Sequence, residues 1–479
     1  MNKVKAFIKN NKDIIICTLI AMIVCLFLFL VYYPGIMTYD GNNQWKQVQT
    51  GVINNAHPIF STFFMLLLSK IHNTTTIVIL FQILAFSVTW GLLVREIRVK
   101  NEKQNIIKYI YTFIMCFIPI IGIYIISLWK DILYSIYLLG LGGIILYGIN
   151  HNFKYKNYHY VLTGILLTLI ASYRHNGIIV AILMLMIIGI GLLVKRKTIT
   201  KKTVKKYSLV FLVFIIAMLL IAIPKKIYTD KTNKEVKTNQ LERKISLKNK
   251  YILWMIQAEL KEGKIKNKKD LKFLSNITNL DKFKDNYNPY IINDLVYKND
   301  LNANFINKNE DKILDILIKY AGKNPEVIID HVIRRDALLI NPVSKNITYV
   351  YVYSFSEWDY LGFDKLTPKT KFKFFRDNIY DRVINLSFKG ILKYFYQPAL
   401  ILYISIIMLI ILSIKVYGKS IHLLGLPMYL NTISLLPINL AQDLRYVYIN
   451  YLIFFVILLI FIINFKEIIK RDKKAKKSK

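Results

Sequence analysis

Long apolar runs alternate along the chain with short polar segments. A helix that crosses a hydrocarbon core of ~30 Å needs roughly 20 residues. Nine runs approach this length, near 14–33, 76–94, 106–127, 132–149, 177–194, 208–223, 399–414, 420–437 and 446–464. A shorter run at 159–173 brings the predicted spans to ten. The pattern predicts an all-α, polytopic membrane protein with about ten transmembrane helices.

One large region interrupts this pattern. Residues 224–398 are polar and rich in Lys and Asn, with helical periodicity around 234–262 and 310–339 and a β-like run, ITYVYVY, at 347–353. A region of this size can bury a core of its own. We therefore predict three parts. Residues 1–223 form a seven-helix membrane module, and residues 224–398 form a mostly helical domain outside the cytoplasm. Residues 399–479 form three further transmembrane helices and a basic tail.

Charge sets the predicted orientation. The chain is 54% hydrophobic yet carries a net charge of +37, and Lys and Arg are concentrated in alternate loops and at both ends. Basic loops lie on the cytoplasmic side of membrane proteins. We therefore expect a multi-pass protein of the plasma membrane, with both termini in the cytoplasm and residues 224–398 outside the cell. Beside a membrane helix, the basic tail indicates contact with anionic lipid rather than nucleic acid.

The familiar signatures of soluble enzymes are absent from the sequence. Cys17, Cys25 and Cys116 all fall within predicted helices, which offers neither a disulfide framework nor the spacing of metal ligands. No Walker loop, H-E-x-x-H or G-x-S-x-G motif is present. The first apolar run is too long for a signal peptide and lacks a cleavage site, so it predicts a transmembrane helix.

Reactive residue types collect in the predicted outer loops. These loops hold two carboxylates, two histidines and three cations: Asp40 and His57 in the first, Lys130 and Asp131 in the next tight turn, Arg174 and His175 in the third, and Arg445 in the last. Cations of this kind bind phosphate, and a carboxylate deprotonates a hydroxyl. The sequence thus favours chemistry on a phosphate-bearing substrate at one face of the membrane.

Each of these residues also has a purely structural interpretation. Asp40 would cap a short amphipathic helix that Gly51 ends. His57 would be an ordinary interfacial histidine, and Lys130 with Asp131 a neutralised pair at helix ends. The two outer arginines would snorkel to lipid headgroups. These alternatives remain open at this stage.

The order of the motifs resembles a known superfamily. A first helix, an outer loop with an acidic residue, and then "HP" (57–58) before the second helix resemble the GT-C integral-membrane glycosyltransferases. The motifs "WKD" (129–131), "YRHNG" (173–177) and "LRY" (444–446) resemble an uncharacterised bacterial family grouped near those enzymes. The resemblance is best over 1–223.

The resemblance implies roles for individual positions. Asp40 takes the position of the catalytic acidic residue of the first loop, and Asp131 that of a second acidic residue. His57 is similar to the histidine of the "HPP" motif in related mannosyltransferases, although its second proline is Ile59 here. Many members have paired acids in the first loop, whereas Gly41 follows Asp40. Because of this departure, the resemblance leaves open whether a divalent metal is a cofactor.

The resemblance further implies an activity. GT-C enzymes transfer a sugar from a polyprenyl-phosphate donor, here to an extracytoplasmic acceptor such as a cell-envelope glycan, lipid or protein. Asp40 would be the base of an inverting transfer; because a helix N-terminus would lower its pKa, Asp131 stays open as the base instead. The implied substrate-binding residues are His57, Lys130, Arg174, His175 and Arg445.

Two other functions fit the same features. A polysaccharide polymerase or ligase that acts on lipid-linked glycans would also collect cations at an outer loop cluster. A lipid or solute transporter is expected to show inverted repeats and helices broken near the bilayer midplane, and the sequence contains no clear repeat.

Overall fold

A computed structural model describes residues 11–54, 57–194, 200–235, 245–344, 347 and 370–477. Over these residues the protein is an all-α polytopic membrane protein without strands, and its β-structure consists of two isolated bridges. The predicted β-like run at 347–353 lies outside the described residues, apart from Ile347.

The helices are numbered here in chain order. The first ten are α1 (Lys12–Val31), α2 (Tyr39–Thr50), α3 (Ile59–Ser69), α4 (Thr75–Arg95), α5 (Glu102–Phe117), α6 (Pro119–Ile125), α7 (Lys130–Asn150), α8 (Asn157–Tyr173), α9 (Gly177–Val194) and α10 (Lys201–Glu235). The next eight are α11 (Leu247–Lys261), α12 (Lys268–Leu274), α13 (Leu280–Asp285), α14 (Asn293–Tyr297), α15 (Ala303–Lys308), α16 (Glu310–Lys323), α17 (Pro325–Arg335) and α18 (Ala337–Ile340). The last five are α19 (Lys373–Phe375), α20 (Asp381–Ser387), α21 (Pro398–Leu412), α22 (Leu426–Leu435) and α23 (Tyr448–Lys477).

Seven helical segments in the described part of the chain are long and apolar enough to cross a membrane: Lys12–Val31, Thr75–Arg95, Lys130–Asn150, Gly177–Val194, Lys201–Ile223, Pro398–Tyr417 and Leu444–Ile469. The pair α5 and α6, bent by 70°, makes an eighth if it is one span. This count is below the ten predicted. The run at 159–173 forms the 17-residue α8, and the run at 420–437 divides into a 3₁₀ segment, Lys419–Gly425, and the ten-residue α22.

The chain divides into two compact units. The first contains Met1–Thr229, Tyr351–Leu435 and Arg445–Lys479. Within it, α7 is among the most buried spans and packs against α4, α8 and α23. Close helix contact needs small residues, as where α1 meets α4: a Cβ at Gly91 would lie 2.1 Å from Oγ1 of Thr18. The packing of α7 fixes the position of its first residues, which begin the site described below.

The second unit contains Asp230–Val350 and Leu436–Leu444. Its core forms around Trp254, which is fully buried and donates a hydrogen bond to the carbonyl of Asn288 at 2.8 Å. The ring of His331 meets Trp254 edge-on, 4.8 Å between centroids. The unit overlaps the predicted 224–398 domain, whereas the described residues 370–398 belong to the first unit.

Candidate active site

A short backbone clamp joins the start of α2 to the segment before α7. The amide of Ile36 donates to the carbonyl of Ile126 at 3.0 Å, and the amide of Leu128 donates to the carbonyl of Ile36 at 2.8 Å. The hydroxyl of Thr38 donates to the carbonyl of Leu128 at 2.9 Å and also accepts from the Gly41 amide at 3.0 Å, which caps α2. The clamp therefore holds the first turns of α2 and α7 side by side.

Gly41 is required by the closeness of this clamp. A Cβ at this position would lie 2.3 Å from the carbonyl oxygen of Leu128 and 3.0 Å from Oγ1 of Thr38. A backbone carbonyl cannot yield as a flexible side chain does. The glycine that follows Asp40 in the sequence thus has a steric cause.

Asp40 lies in the first turn of α2 and contacts two cations. Its Oδ2 is 2.6 Å from Nη1 of Arg445 and 3.3 Å from Nζ of Lys130. The Asp40 side chain is 20% exposed, and those of Arg445 and Lys130 are 13% and 10% exposed. The carboxylate is therefore strongly paired and still reachable from outside.

Asp131 forms the buried half of the same cluster. Its Oδ2 lies 3.6 Å from Nζ of Lys130, and its Oδ1 lies 2.9 Å from Nε of Arg174. Its side chain is only 1% exposed. Lys130 thus bridges the two carboxylates, and we call Asp40, Lys130, Asp131, Arg174 and Arg445 the ion-pair cluster. Three cations and two carboxylates leave it a net charge of +1.

Aromatic rings support the two arginines. The guanidinium of Arg174 lies 4.9 Å from the centre of the Tyr446 ring and donates to the Tyr446 carbonyl at 3.1 Å. The guanidinium of Arg445 lies 5.0 Å from the ring of Trp129 and 5.2 Å from that of Tyr446. Asn431 donates to the same Tyr446 carbonyl at 3.0 Å. Stacking on rings fixes guanidinium planes, so both arginines are held in place before any ligand arrives.

The charges of Asp40 and His57 follow from these surroundings. Burial raises the pKa of the Asp40 carboxyl, but Lys130 and Arg445 outweigh this effect and hold that pKa well below its usual range. Burial and the positive charge of Lys130 lower the pKa of His57 from 6.5 to about 4, against the opposing effect of Asp40. At neutral pH, Asp40 is a carboxylate and His57 is neutral.

The cluster contains most of the residues singled out in the sequence. Asp40, Lys130, Asp131, Arg174 and Arg445 lie together, and His57 interacts electrostatically with four of them. His175, in contrast, is exposed.

Two of the structural interpretations are corrected by these contacts. Asp40 does not cap α2, because Thr38 does, although Gly51 ends the helix as expected with a φ of 71°. Arg174 does not snorkel toward headgroups, because it is buried against Asp131 and Tyr446. Lys130 and Asp131 do form a pair at a helix end, but each is also bound to a partner from another loop.

Sequence reasoning assigned no role to three supporting residues. Trp129 and Tyr134 flank the "KD" pair and place rings against Arg445 and Arg174, a role that their polar neighbours obscured. Asn431 accepts from the Tyr134 hydroxyl at 2.9 Å. Its signal was a lone amide inside an apolar run, since polar residues at membrane depth are usually functional.

The residues of the cluster do not fit a divalent metal. In the part of the chain that the structure describes, no group of three His, Cys, Asp or Glu side chains is placed to hold one. Both carboxylates already face Lys or Arg, so a metal ion beside them would meet three positive charges. We derive no step through a metal.

Comparison with protein-family models, with curated proteins and with solved structures found no match to this chain. The geometry of the site therefore carries the functional argument.

Proposed function

We propose that this protein is an inverting membrane glycosyltransferase that moves a sugar from a polyprenyl-phosphate donor to an acceptor hydroxyl on the predicted extracytoplasmic side. The observation that carries the proposal is the ion-pair cluster. In it, Lys130 pairs with both the accessible carboxylate of Asp40 and the buried carboxylate of Asp131. Two arginines that pack against aromatic rings lie beside them. Such a site combines a proton acceptor with cations for a phosphate leaving group.

Accessibility favours Asp40 over Asp131 as the base. Asp40 is 20% exposed, whereas Asp131 is 1% exposed and lies between Lys130 and Arg174. An acceptor hydroxyl can reach only the former. Asp131 then serves to orient Lys130 and Arg174 toward the donor phosphate.

The transfer is a single displacement. The acceptor oxygen attacks the anomeric carbon as its proton moves to an Oδ of Asp40. The bond between that carbon and the phosphate oxygen breaks, and its electron pair leaves on the phosphate. Because one base acts on the face opposite the leaving group, the configuration inverts, by analogy with inverting glycosidases. Lys130 and Arg445 stabilise the charge that develops on the leaving phosphate.

The cations that would bind the phosphate are also those that hold the Asp40 pKa low. A donor phosphate would draw Arg445 and Lys130 away from the carboxylate, and the loss of these contacts would raise the pKa of Asp40. A base with a higher pKa accepts a proton more readily. We therefore propose that the donor binds first and activates Asp40 by competing for its partners.

The bent pair α5 and α6 is a feature that favours a lipid or solute transporter, since broken helices are frequent in transporters. The ion-pair cluster lies at the first turn of α7, however, and not at the middle of a span where transporter sites lie.

The test is transfer by the purified full-length protein. It would be incubated with a panel of synthetic polyprenyl-phosphate monosaccharides and an extract of the host envelope, and released polyprenyl phosphate would be measured by chromatography. Acceptor-dependent release from at least one donor supports the proposal. Movement of intact donors across a liposome membrane, without release, would support the transporter instead.

A further inference from the structure

A separate cavity of about 770 Å³ lies in the first unit at the other end of α7. Its size is that of a ligand pocket, ~300–1,000 Å³. Because α7 begins with Lys130 of the ion-pair cluster and its last residue, Asn150, lines this cavity, ~30 Å of helix separates the two. The proposed transfer reaction makes no use of it.

One wall of the cavity is apolar and lies on membrane helices. α4 and α7 are both spans, and together with α8 they supply Leu93, Gly140, Gly143 and Leu166. The two glycines leave room: a Cβ on Gly140 or Gly143 would meet its nearest neighbour only at 3.5 or 3.6 Å. An aliphatic chain is the occupant that gains most from such a wall.

The mouth of the cavity is basic. Arg95, Arg98 and Lys156 line it, and Glu96 is the one carboxylate among the lining residues. Glu96 lies 3.6 Å from Nε2 of His151, and the cations that line the mouth outnumber this carboxylate three to one. The three cations favour an anionic group at the mouth.

Aromatic rings pack against one another beside the basic mouth of the cavity. The ring of Tyr147 lies 4.1 Å from that of His151 and 4.1 Å from that of His159, centre to centre, and Tyr158 stacks on His159 at 4.1 Å. Amphipathic rings are enriched where the hydrocarbon core meets the headgroups. A lipid phosphate lies at that depth, with its acyl chains on the apolar side.

We propose that this cavity binds an anionic glycerophospholipid, with the phosphate against Arg95, Arg98 and Lys156 and one acyl chain along the wall formed by α4, α7 and α8. Free phosphate would leave the apolar wall unused. A zwitterionic lipid would bring one more positive charge to a mouth that is already lined by three cations.

The first test measures lipid retention on the full-length protein in detergent by native mass spectrometry, with phosphatidylglycerol, phosphatidylcholine and inorganic phosphate as probes. Each removed cation should weaken phosphatidylglycerol binding about fivefold, equivalent to ~1 kcal/mol, and Arg95→Gln/Lys156→Gln should weaken it about 25-fold. Lys154→Gln is the matched control, because Lys154 belongs to the same turn and does not line the cavity. The affinity of Lys154→Gln for phosphatidylglycerol should equal that of the wild type.

The second test fills the apolar wall. Gly140→Leu should abolish most of the retention, while Gly189→Leu, on α9 with open space around it, should not change it. Equal binding of phosphatidylglycerol and phosphatidylcholine would overturn the proposal. So would retention by Gly140→Leu at the wild-type level, or displacement of the lipid by an equal concentration of inorganic phosphate.

Discussion

Replacing Arg445 with Gln removes the shorter of the two ionic contacts of Asp40. The substitution takes away a charge 2.6 Å from Oδ2 and leaves Lys130 at 3.3 Å. A nearby opposite charge lowers a carboxyl pKa by roughly 1–3, so its loss should raise the Asp40 pKa by a similar amount toward the ordinary value of ~3.9. A donor phosphate also loses one charge-assisted contact, which costs ~1.5–3 kcal/mol.

The assay is kcat/KM for transfer between pH 3.5 and 8. Asp40 acts as a carboxylate, so the rate falls as pH drops through its pKa. The wild type should show little acid limb in this range, whereas Arg445→Gln should show one near pH 4 together with a rate at pH 7 lowered roughly tenfold to a hundredfold. Arg334→Gln is a suitable control, because it removes another arginine paired to an aspartate, Asp330, on an exposed surface. An acid limb that does not move would refute the assigned link between Arg445 and the base.

Three other predictions follow from the fold and the site. Gly41→Ala should destabilise the protein by ~1–3 kcal/mol and lower transfer, because its methyl group would strike a carbonyl of the facing segment; an unchanged thermal midpoint would contradict the clamp. His57 is neutral in the folded protein, because its pKa is lowered there to about 4. Protonation of His57 therefore favours the unfolded chain. The free energy of unfolding should fall as the pH drops below 6.5, by up to ~2 kcal/mol at pH 5. His57→Gln should flatten this dependence of the thermal midpoint on pH, and the exposed His175→Gln should not. Tyr297→Cys, 78% exposed in the second unit, should react with an impermeant thiol reagent on intact cells and Lys103→Cys should not; the reverse labelling would overturn the orientation.

The membrane helices could be predicted because their signal is local. The run at 132–149 became Lys130–Asn150, and the run at 76–94 became Thr75–Arg95. The apolar run at 106–127 predicts one helix, whereas the structure breaks it before Pro119, whose ring and missing amide end α5. The proline at position 119 is enough to predict that break from the sequence.

The site was only partly predictable, because its pairings are not local. Arg445 and Asp40 are 405 positions apart, and no periodicity in either segment indicates that they meet. Residue type identified the charged residues, since carboxylates, histidines and cations collect in the predicted outer loops. Which carboxylate is reachable, and which is buried beneath Lys130, required the packing of α7 and the clamp at Leu128.

The central claim is that Asp40 is the base, and Asp40→Asn tests it most directly. Asn keeps the size of the side chain and its place in α2 but cannot accept the proton. We predict a kcat lowered by about 100-fold or more, with normal membrane insertion and no rise in KM for the donor, because the positive charge of the cluster increases. The thermal midpoint should fall, because Arg445 and Lys130 lose the carboxylate that pairs with them. The matched variant Asp381→Asn, which changes a carboxylate bonded to Tyr32 at 2.7 Å in the same unit, should retain wild-type transfer. A kcat near the wild-type value in Asp40→Asn would contradict the account and make the cluster a structural ion-pair network.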